Sequence, residues 1–380
     1  MENKAGKYRK NLSGELEYYS FVPTELPLKT KINIDSEMLN ILIKANKSIA
    51  ILESVSKDIP NINLFIVMYI RKEALLSSQI EGTQATLEDV FDPLIDKNIN
   101  QDIKDVVNYI KASEYAIDRL KTLPLCTRLL NETHAILLHG VRGENKNAGE
   151  FRRSQNWIGG SNSTIKDASY IPPNPEDMQI AFSNLEKYIN EDDELDNLIK
   201  IALIHYQFET IHPYLDGNGR IGRILIILYL IEKKVLSTPS LYISYYLKKN
   251  RVEYYDRLTE VRNKGNYEQW IKFFLKAIDE SARDATDTIA QLTKLREKNI
   301  NIIKKMERIS KNAIKIYLFL ESNPIIDIGK TAKALNLSFY TVSSIIEKFI
   351  NNGILKKLEN IKRNRIFIYK DYLDILRKGT

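Results

Sequence analysis

The sequence predicts a mainly α-helical protein, because segments in which apolar residues recur at helical spacing follow one another along most of its length. The clearest of these segments cover residues 36–54, 60–82, 84–92, 102–120, 127–140, 195–206, 221–236 and 279–306. Strand-like patterns are short and few, so we expect little β-structure.

Composition indicates an ordinary soluble globular protein of two or three domains, with 380 residues of which 43% are hydrophobic and 28% charged. The uncharged apolar run 224–231 is too short to cross a bilayer, and the N-terminus lacks the apolar segment of a signal peptide. Cys126 is the single cysteine. This usage is typical of a reducing compartment, so we expect a cytoplasmic protein without a membrane partner.

A Gly-rich loop at 208–223, FETIHPYLDGNGRIGR, joins two helical segments and carries the side chains with the most chemistry. Unpaired N–H groups at a helix start attract anions, and glycines let a ligand approach the backbone. Arg220 and Arg223 add positive charge with a geometry suited to phosphate. Asp216 is the kind of oxygen ligand that Mg²⁺ takes beside a phosphate, and the ordinary pKa of His212 suits proton transfer. Together these features predict phosphoryl or nucleotidyl transfer.

Two other phosphate-binding motifs resemble this loop only in part. Gly217, Gly219 and Gly222 satisfy the spacing GxGxxG, but that fingerprint requires a preceding strand, and the preceding segment is helical. A P-loop would need Lys and Ser/Thr where Arg223 and Ile224 stand. Neither motif therefore explains the loop.

The loop resembles the signature of the Fic family, HPFxxGNGRxxR, with Tyr214 in place of the usual Phe. The resemblance implies an all-α fold with a small β-hairpin flap. It also implies a protein adenylyltransferase that moves AMP from ATP to a Ser, Thr or Tyr hydroxyl of a protein, including itself. His212 would accept the hydroxyl proton and Asp216 would hold Mg²⁺. The residues implied to bind ATP are Asp216, Gly217, Asn218, Gly219, Arg220, Ile221, Gly222 and Arg223.

A second motif, SSQIEG at 77–82, places Ser77 and Glu81 four residues apart on one helix face. Taken alone, such a Glu is an ordinary solvated carboxylate. Self-inhibited Fic proteins carry [S/T]xxxE[G/N] at this point, and Ser77, Glu81 and Gly82 match it. The resemblance implies that Glu81 pairs with Arg223 and neutralises the guanidinium that should hold the γ-phosphate.

The segment NAGEFRRSQNWIGG at 147–160 is similar to the family's GEFR…WIGG. Residues 155–158 and 168–171 form the pattern of a short hairpin around 159–162, which Pro172 and Pro173 end. The resemblance implies that this flap, near 157–175, docks the target's backbone by strand addition. It also implies nucleoside contacts after the loop, for which Tyr255 and Asn263 are the nearest matches. We interpret His134, His139 and His205 as structural.

The sequence suggests four regions. They are a helical N-terminal region, 1–120, that holds the motif at 77–82 and begins with an extended arm; a Fic core, 121–277; a connecting helix, 278–312; and a winged helix, 313–380. The last region carries 12 basic and 6 acidic residues, a net charge of 12 − 6 = +6.

A helix at 339–351 would enter the major groove if this region binds DNA, with Tyr340, Thr341 and Ser343 towards bases and Lys362, Arg363 and Arg365 towards phosphate. A role in docking or homodimerisation is the alternative for this region. Three alternatives also stay open for the whole protein: another nucleotide donor such as UTP or CDP-choline, removal of AMP, and a DNA-binding regulator whose Fic core is a sensor.

Overall fold

The computed structural model describes residues 2–58, 62–92, 100–141, 143–160, 163–192, 194–306, 310–358 and 366–380. Helices dominate these residues, which confirms the predicted mainly α-helical fold. The first six helices are α1 (Ser36–Asp58), α2 (Ile62–Ile80), α3 (Leu87–Phe91), α4 (Gln101–Arg119), α5 (Thr127–Leu137) and α6 (Pro175–Asn190). Side-chain caps set several starts: Thr86 and Asp89 form a capping box on α3, and Asn174 caps α6 ahead of Pro175.

Two central helices position the Gly-rich loop: α7 (Asn197–Ile211) and α8 (Asn218–Glu232). Both are apolar nearly all round and buried along almost their whole length, as expected for helices at the centre of a bundle. Helix α7 ends at His212 in a left-handed conformation (φ +51°), and Gly217 (φ +75°) precedes α8. The loop between them therefore turns sharply inside the core.

Residues 2–23 differ from the extended arm that the sequence predicts. They form an antiparallel sheet in the order β1 (Glu2–Asn3), β2 (Gly6–Asn11), β3 (Tyr18–Pro23). Gly14, with φ +65°, lets the chain reverse between β2 and β3. The buried Phe21 donates its backbone N–H to the Ile171 carbonyl at 3.0 Å, so this sheet braces the end of the predicted flap.

The predicted flap is a hairpin with a single bridge, in which the Ile158 N–H donates to the Tyr170 carbonyl at 2.8 Å. Residues 161–162 of its turn lie outside the described residues. In the described part of the flap, regular strand pairing does not extend beyond this bridge. Pro172 and Pro173 follow soon after Tyr170 and have no N–H to donate to a neighbouring strand.

Three further helices complete the core region: α9 (Ser244–Lys249), α10 (Arg251–Lys264) and α11 (Tyr267–Lys304). Gly265 ends α10 in a left-handed conformation (φ +68°), at the predicted break. Helix α11 then runs without interruption for 38 residues. The predicted boundary at 277/278 falls inside it, because neither Gly nor Pro interrupts the segment and its apolar stripe stays buried from Trp270 to Leu292.

The C-terminal unit follows α12 (Ser310–Ser322) in the order β4 (Ile325–Asp327), α13 (Ile328–Leu335), α14 (Phe339–Asn351), β5 (Lys356–Lys357), β6 (Ile366–Ile368) and α15 (Lys370–Leu376). Its sheet is antiparallel in the order β4-β6-β5, and α14 has the bounds predicted for the recognition helix. Lys362, Arg363 and Arg365 lie outside the described residues. The Tyr369 hydroxyl, bonded to Asn299 of α11 at 2.6 Å, attaches this unit to the core. Among the helices described, none is long and apolar enough to cross a membrane.

Candidate active site

The Gly-rich loop is held in shape by the side chain of Asn218. Its Oδ1 accepts the Tyr214 N–H and its Nδ2 donates to the Tyr214 carbonyl, each at 2.8 Å. The side chain is 2% exposed, so both of its polar groups are engaged within the loop. The sequence-based prediction placed Asn218 on the phosphates. In the structure only its backbone, at the start of α8, is left for that role.

His134 fixes the other side of the loop, although the sequence indicated only a structural histidine. Its ring stacks on Tyr214 with centroids 3.8 Å apart. The Gly149 N–H donates to its Nδ1 at 2.9 Å, so Nε2 carries the proton and donates to the Asp216 carbonyl at 3.0 Å. Burial lowers the pKa of His134 to about 4, which keeps this neutral arrangement at neutral pH.

His212 stands at the end of α7 with its Nδ1 3.3 Å from the Glu209 carbonyl. A carbonyl can only accept, so Nδ1 carries the proton and Nε2 keeps its lone pair. Burial is the main cause that lowers the pKa of His212 to about 4, with smaller effects from nearby arginines. The imidazole is therefore neutral at pH 7 and able to accept a proton.

Two residues that the sequence did not single out hold the backbone of His212 in place. Arg152 is fully buried and donates through Nε to the His212 carbonyl at 2.9 Å. Asn156 donates to the same carbonyl at 3.3 Å and to that of Tyr214 at 2.9 Å. Both lie in the 147–160 segment, whose similarity to the family's GEFR…WIGG indicated no role for either residue. The sequence offered one signal for such a role, namely polar residues in the same short segment as the apolar Phe151.

Asp216 presents a carboxylate that is 40% exposed to a polar cleft in front of the loop. Its Oδ1 accepts the Gly217 N–H at 2.5 Å and lies 3.3 Å from Arg220, which in turn is 3.6 Å from Asp105. Within the residues described, no three His, Cys, Asp or Glu side chains cluster as a metal cage. Mg²⁺ beside nucleotides commonly takes one or two carboxylates and the substrate phosphates, so the open carboxylate of Asp216 fits that role.

The motif at 77–82 and the loop meet at Arg223, which is completely buried. Arg223 donates to the Ser77 hydroxyl at 2.7 Å, to the Ser77 carbonyl at 3.1 Å and to Glu81 Oε1 at 2.7 Å. Burial acts to raise the pKa of Glu81, but the charge and hydrogen bond of Arg223 outweigh it and lower the pKa below its ordinary value. The pair is therefore ionised at neutral pH. Gly82, the last residue of the motif, turns the chain with φ +98°.

Gly219 explains how Glu81 comes so close to the loop. A Cβ at Gly219 would lie 2.4 Å from Glu81 Oε1 and 3.0 Å from Arg223. Ile221, in contrast, is fully buried and contributes packing. The carboxylate of Glu81 thus occupies the space directly above the first turn of α8, where an anion would otherwise approach the helix N-terminus.

Beyond Arg223 the cleft continues into a cavity of about 470 Å³ between the flap and α10. It is lined from α10 by Tyr254, Tyr255, Leu258, Thr259 and Arg262, and from the flap by Ile158 and Tyr170. The predicted Tyr255 lies here and is 40% exposed. The flap and this helix therefore enclose a space beside His212 that suits an aromatic base.

Asn263, the second residue predicted to contact the nucleoside, does not line this cavity. Its side chain is exposed, and its carbonyl accepts a hydrogen bond from Asn3 at 3.1 Å. Arg262 lines the cavity instead, with its guanidinium 3.7 Å from the centre of the Tyr170 ring. The overlooked signal was that residue 262 stands three and four residues from 259 and 258, which places it beside them on one helix face.

Comparison with protein families identifies two matches. Residues 39–118 match the N-terminal domain of the Fic/DOC family, and residues 124–230 match the Fic/DOC family itself. The chain is 35% identical over 127 residues to the Protein adenylyltransferase Fic of Aedes aegypti and 34% identical to that of Culex quinquefasciatus. Each alignment covers 33% of this chain and 22% of the relative, so the chain spans about a fifth of the length of these relatives.

Solved structures resemble a larger part of the chain. A Fic family protein from Desulfovibrio desulfuricans superimposes with a TM-score of 0.58 at 19% identity, covering 89% of this chain and 97% of the other. A Fic domain containing signaling protein from Bacteroides thetaiotaomicron gives a TM-score of 0.51 at 16% identity, over 65% of this chain and 97% of the other. At these identities the likeness establishes the fold alone.

Proposed function

We propose that this chain, a member of the Fic/DOC family, is a protein adenylyltransferase that transfers AMP from ATP to a Ser, Thr or Tyr hydroxyl of a protein. The observation that carries the proposal is the meeting of three groups in one cleft. They are a neutral imidazole at His212, an open carboxylate at Asp216 and the unpaired backbone start of α8. This combination suits nucleotidyl transfer because it holds phosphates and moves one proton.

In this reaction the target hydroxyl lies beside His212 Nε2, which accepts its proton as the oxygen attacks the α-phosphorus. The new O–P bond forms while the bond to the leaving diphosphate breaks. Backbone N–H groups of Asn218 and Gly219 and the guanidinium of Arg220 hold the phosphates. Asp216 would hold Mg²⁺, which supplies positive charge to the phosphates when it is bound.

Glu81 restrains this chemistry in the arrangement seen here. The family signature assigns the γ-phosphate to Arg223, whose Nε and Nη2 donate here to Ser77 and Glu81. The carboxylate of Glu81 also adds a negative charge where the triphosphate would lie. We therefore propose that the enzyme is self-inhibited and that displacement of Glu81 from Arg223 activates it.

The protein substrate is expected to approach along the flap. Ile158, Gly159 and Ser169 border the cavity next to His212, and Trp157 is 42% exposed on the same hairpin. The Phe21 N–H already occupies the Ile171 carbonyl, so an added strand would pair ahead of that residue. This mode reads the extended backbone of a target more than one particular side chain.

The test is intact-mass analysis of the wild type and the Glu81→Gly variant after incubation with ATP, UTP or CDP-choline. We expect the mass of one AMP to be added in the presence of ATP, faster for Glu81→Gly, and no addition for the double variant Glu81→Gly/His212→Ala. Addition of a phosphate alone, or of a group from another nucleotide, would contradict the proposal. Loss of AMP from a modified protein would favour the reverse reaction.

A further inference from the structure

Glu209 is a buried carboxylate at the cavity that the proposed reaction does not use. It lies on α7, one turn before His212, and is 7% exposed. Its Oε1 has no hydrogen-bond partner among the described residues. The group packs against the backbone of α8, since a Cβ at Gly222 would lie 2.4 Å from this oxygen. Buried acceptors are nearly always paired in native proteins, so the Glu209 carboxylate, which lines the cavity, calls for a partner.

None of the described hydrogen-bond donors around the cavity bonds to Oε1 of Glu209. Arg223 donates to Ser77 and Glu81. The Tyr254 hydroxyl bonds to Nε2 of His205 at 2.9 Å. Arg262 lies over the Tyr170 ring with its Nε 3.5 Å from the Thr210 hydroxyl. In this arrangement none of these groups bonds to Oε1 of Glu209, so the carboxylate is available to a donor of a molecule bound in the cavity.

The chemistry of the cavity restricts what that partner can be. A carboxylate repels phosphate, so the partner is an N–H or O–H group of the nucleoside half of a nucleotide. Tyr255 and Leu258, which line the same cavity as Glu209, offer apolar surface to a base. Burial raises the pKa of Glu209 to about 7, against the opposing charge of Arg223, and a hydrogen bond from the ligand would stabilise the ionised form.

We infer that Glu209 is a specificity-determining residue that accepts a hydrogen bond from a ribose hydroxyl or an exocyclic amino group of the nucleotide. The inference rests on the proposed function for the identity of the nucleotide. Glu209 therefore discriminates against nucleotides that lack the group bonded to its carboxylate. When that group is missing, the buried carboxylate is left without a hydrogen-bond partner, which weakens binding.

The experiment measures binding of ATP, 2′-deoxy-ATP, 3′-deoxy-ATP and inosine triphosphate by calorimetry. The proteins are Glu81→Gly, in which Arg223 is free, and the double variant Glu81→Gly/Glu209→Ala. We expect Glu209→Ala to weaken ATP binding about 10–100-fold, the range for a hydrogen bond to a charged group. The same substitution should not change the affinity for the one analogue that lacks the group bonded to Glu209, and that analogue therefore identifies the group.

Two further variants keep the test decisive. Glu209→Gln preserves the shape of the side chain, so it should show a smaller loss with the same dependence on the analogue. Glu73→Gln is the matched control, because Glu73 is also buried, bonds to Ser244 and does not line this cavity. An equal loss for all four nucleotides, or no loss for ATP, would overturn the inference. Failure of Glu81→Gly to bind ATP at all would overturn both the proposed function and the inference about Glu209.

Discussion

The two ends of the cleft are built in different ways. At the end proposed to hold the phosphates, here called the phosphate end, a single loop supplies His212, Asp216 and Arg220, and bonds within the loop and from His134 hold its shape. At the end proposed to hold the nucleoside, here called the nucleoside end, the flap, α7 and α10 each contribute a few side chains to a wider cavity. The described part of the flap has one backbone bridge of its own and is braced by the N-terminal sheet.

This difference predicts how each end responds to change. The loop brings reacting groups together through bonds within a short stretch, so one substitution there should remove a whole chemical function. The nucleoside end spreads its contacts over several elements, so a single substitution should weaken binding without abolishing the reaction. The predictions below test this contrast.

The largest effect is expected for His212→Ala, measured in the Glu81→Gly background. Loss of a general base costs roughly 10²–10⁴-fold in rate, whereas ATP binding should change little because other groups hold the phosphates. Incorporation of labelled AMP and calorimetry of ATP binding check the two parts. His139→Ala is the control, since that histidine is highly exposed and does not border the cleft. Unchanged turnover of the His212→Ala variant would refute the proposed role of His212 as general base.

Asp216→Ala should reduce AMP transfer on the order of 10²–10³-fold, because the metal contributes several kcal/mol of charge stabilisation. Raising the Mg²⁺ concentration should restore part of the rate, which distinguishes a metal ligand from a residue that only shapes the loop. Asp102→Asn, a change at another carboxylate lining the same cleft, is the matched comparison and should lose less. Equal rates in EDTA and in Mg²⁺ would refute the metal role.

Glu81→Gly should raise self-adenylylation by roughly 10–100-fold, since the hydrogen bond between the two charged groups contributes about 1.5–3 kcal/mol. Adding Arg223→Ala should make the protein inactive again, because the freed guanidinium is then absent. Glu88→Gly is the control: this exposed carboxylate pairs with Arg377 and does not contact the loop. Equal rates for wild type and Glu81→Gly would mean that Glu81 does not inhibit.

Arg262→Ala and Asn263→Ala compare two neighbouring residues at the nucleoside end. Loss of the contact between Arg262 and the Tyr170 ring should raise the KM for ATP by roughly 3–30-fold, the range of a partly buried cation–π pair. Asn263→Ala should leave KM unchanged because its side chain is exposed. If the effects of the two variants were reversed, the register of α10 against the flap would be wrong.

The smallest change is expected from pH. Because burial lowers the pKa of His212 to about 4, the base stays deprotonated as pH falls from about 8 to about 5.5. At saturating ATP, the rate of Glu81→Gly should therefore be nearly constant over that window and fall only at lower pH, as His212 gains a proton. A kinetic pKa near 6.5 would show that the imidazole is solvated, as at an open surface.

Local sequence determined the parts of this protein whose information lies within a single segment. The residues of the Gly-rich loop, the spacing of Ser77 and Glu81, the ends of the helices around Gly82 and Gly265, and the mainly helical fold could all be predicted, because caps, turns and periodicity act over a few residues.

Tertiary structure alone decided which of these segments meet. Glu81 and Arg223 are 142 residues apart, and only packing of α2 against α8 places them 2.7 Å from each other. The same holds for Arg152 and His134, which hold the loop from distant segments, and for Arg262 in place of Asn263. Such contacts depend on the sum of many weak interactions across the core, which no short stretch of sequence encodes.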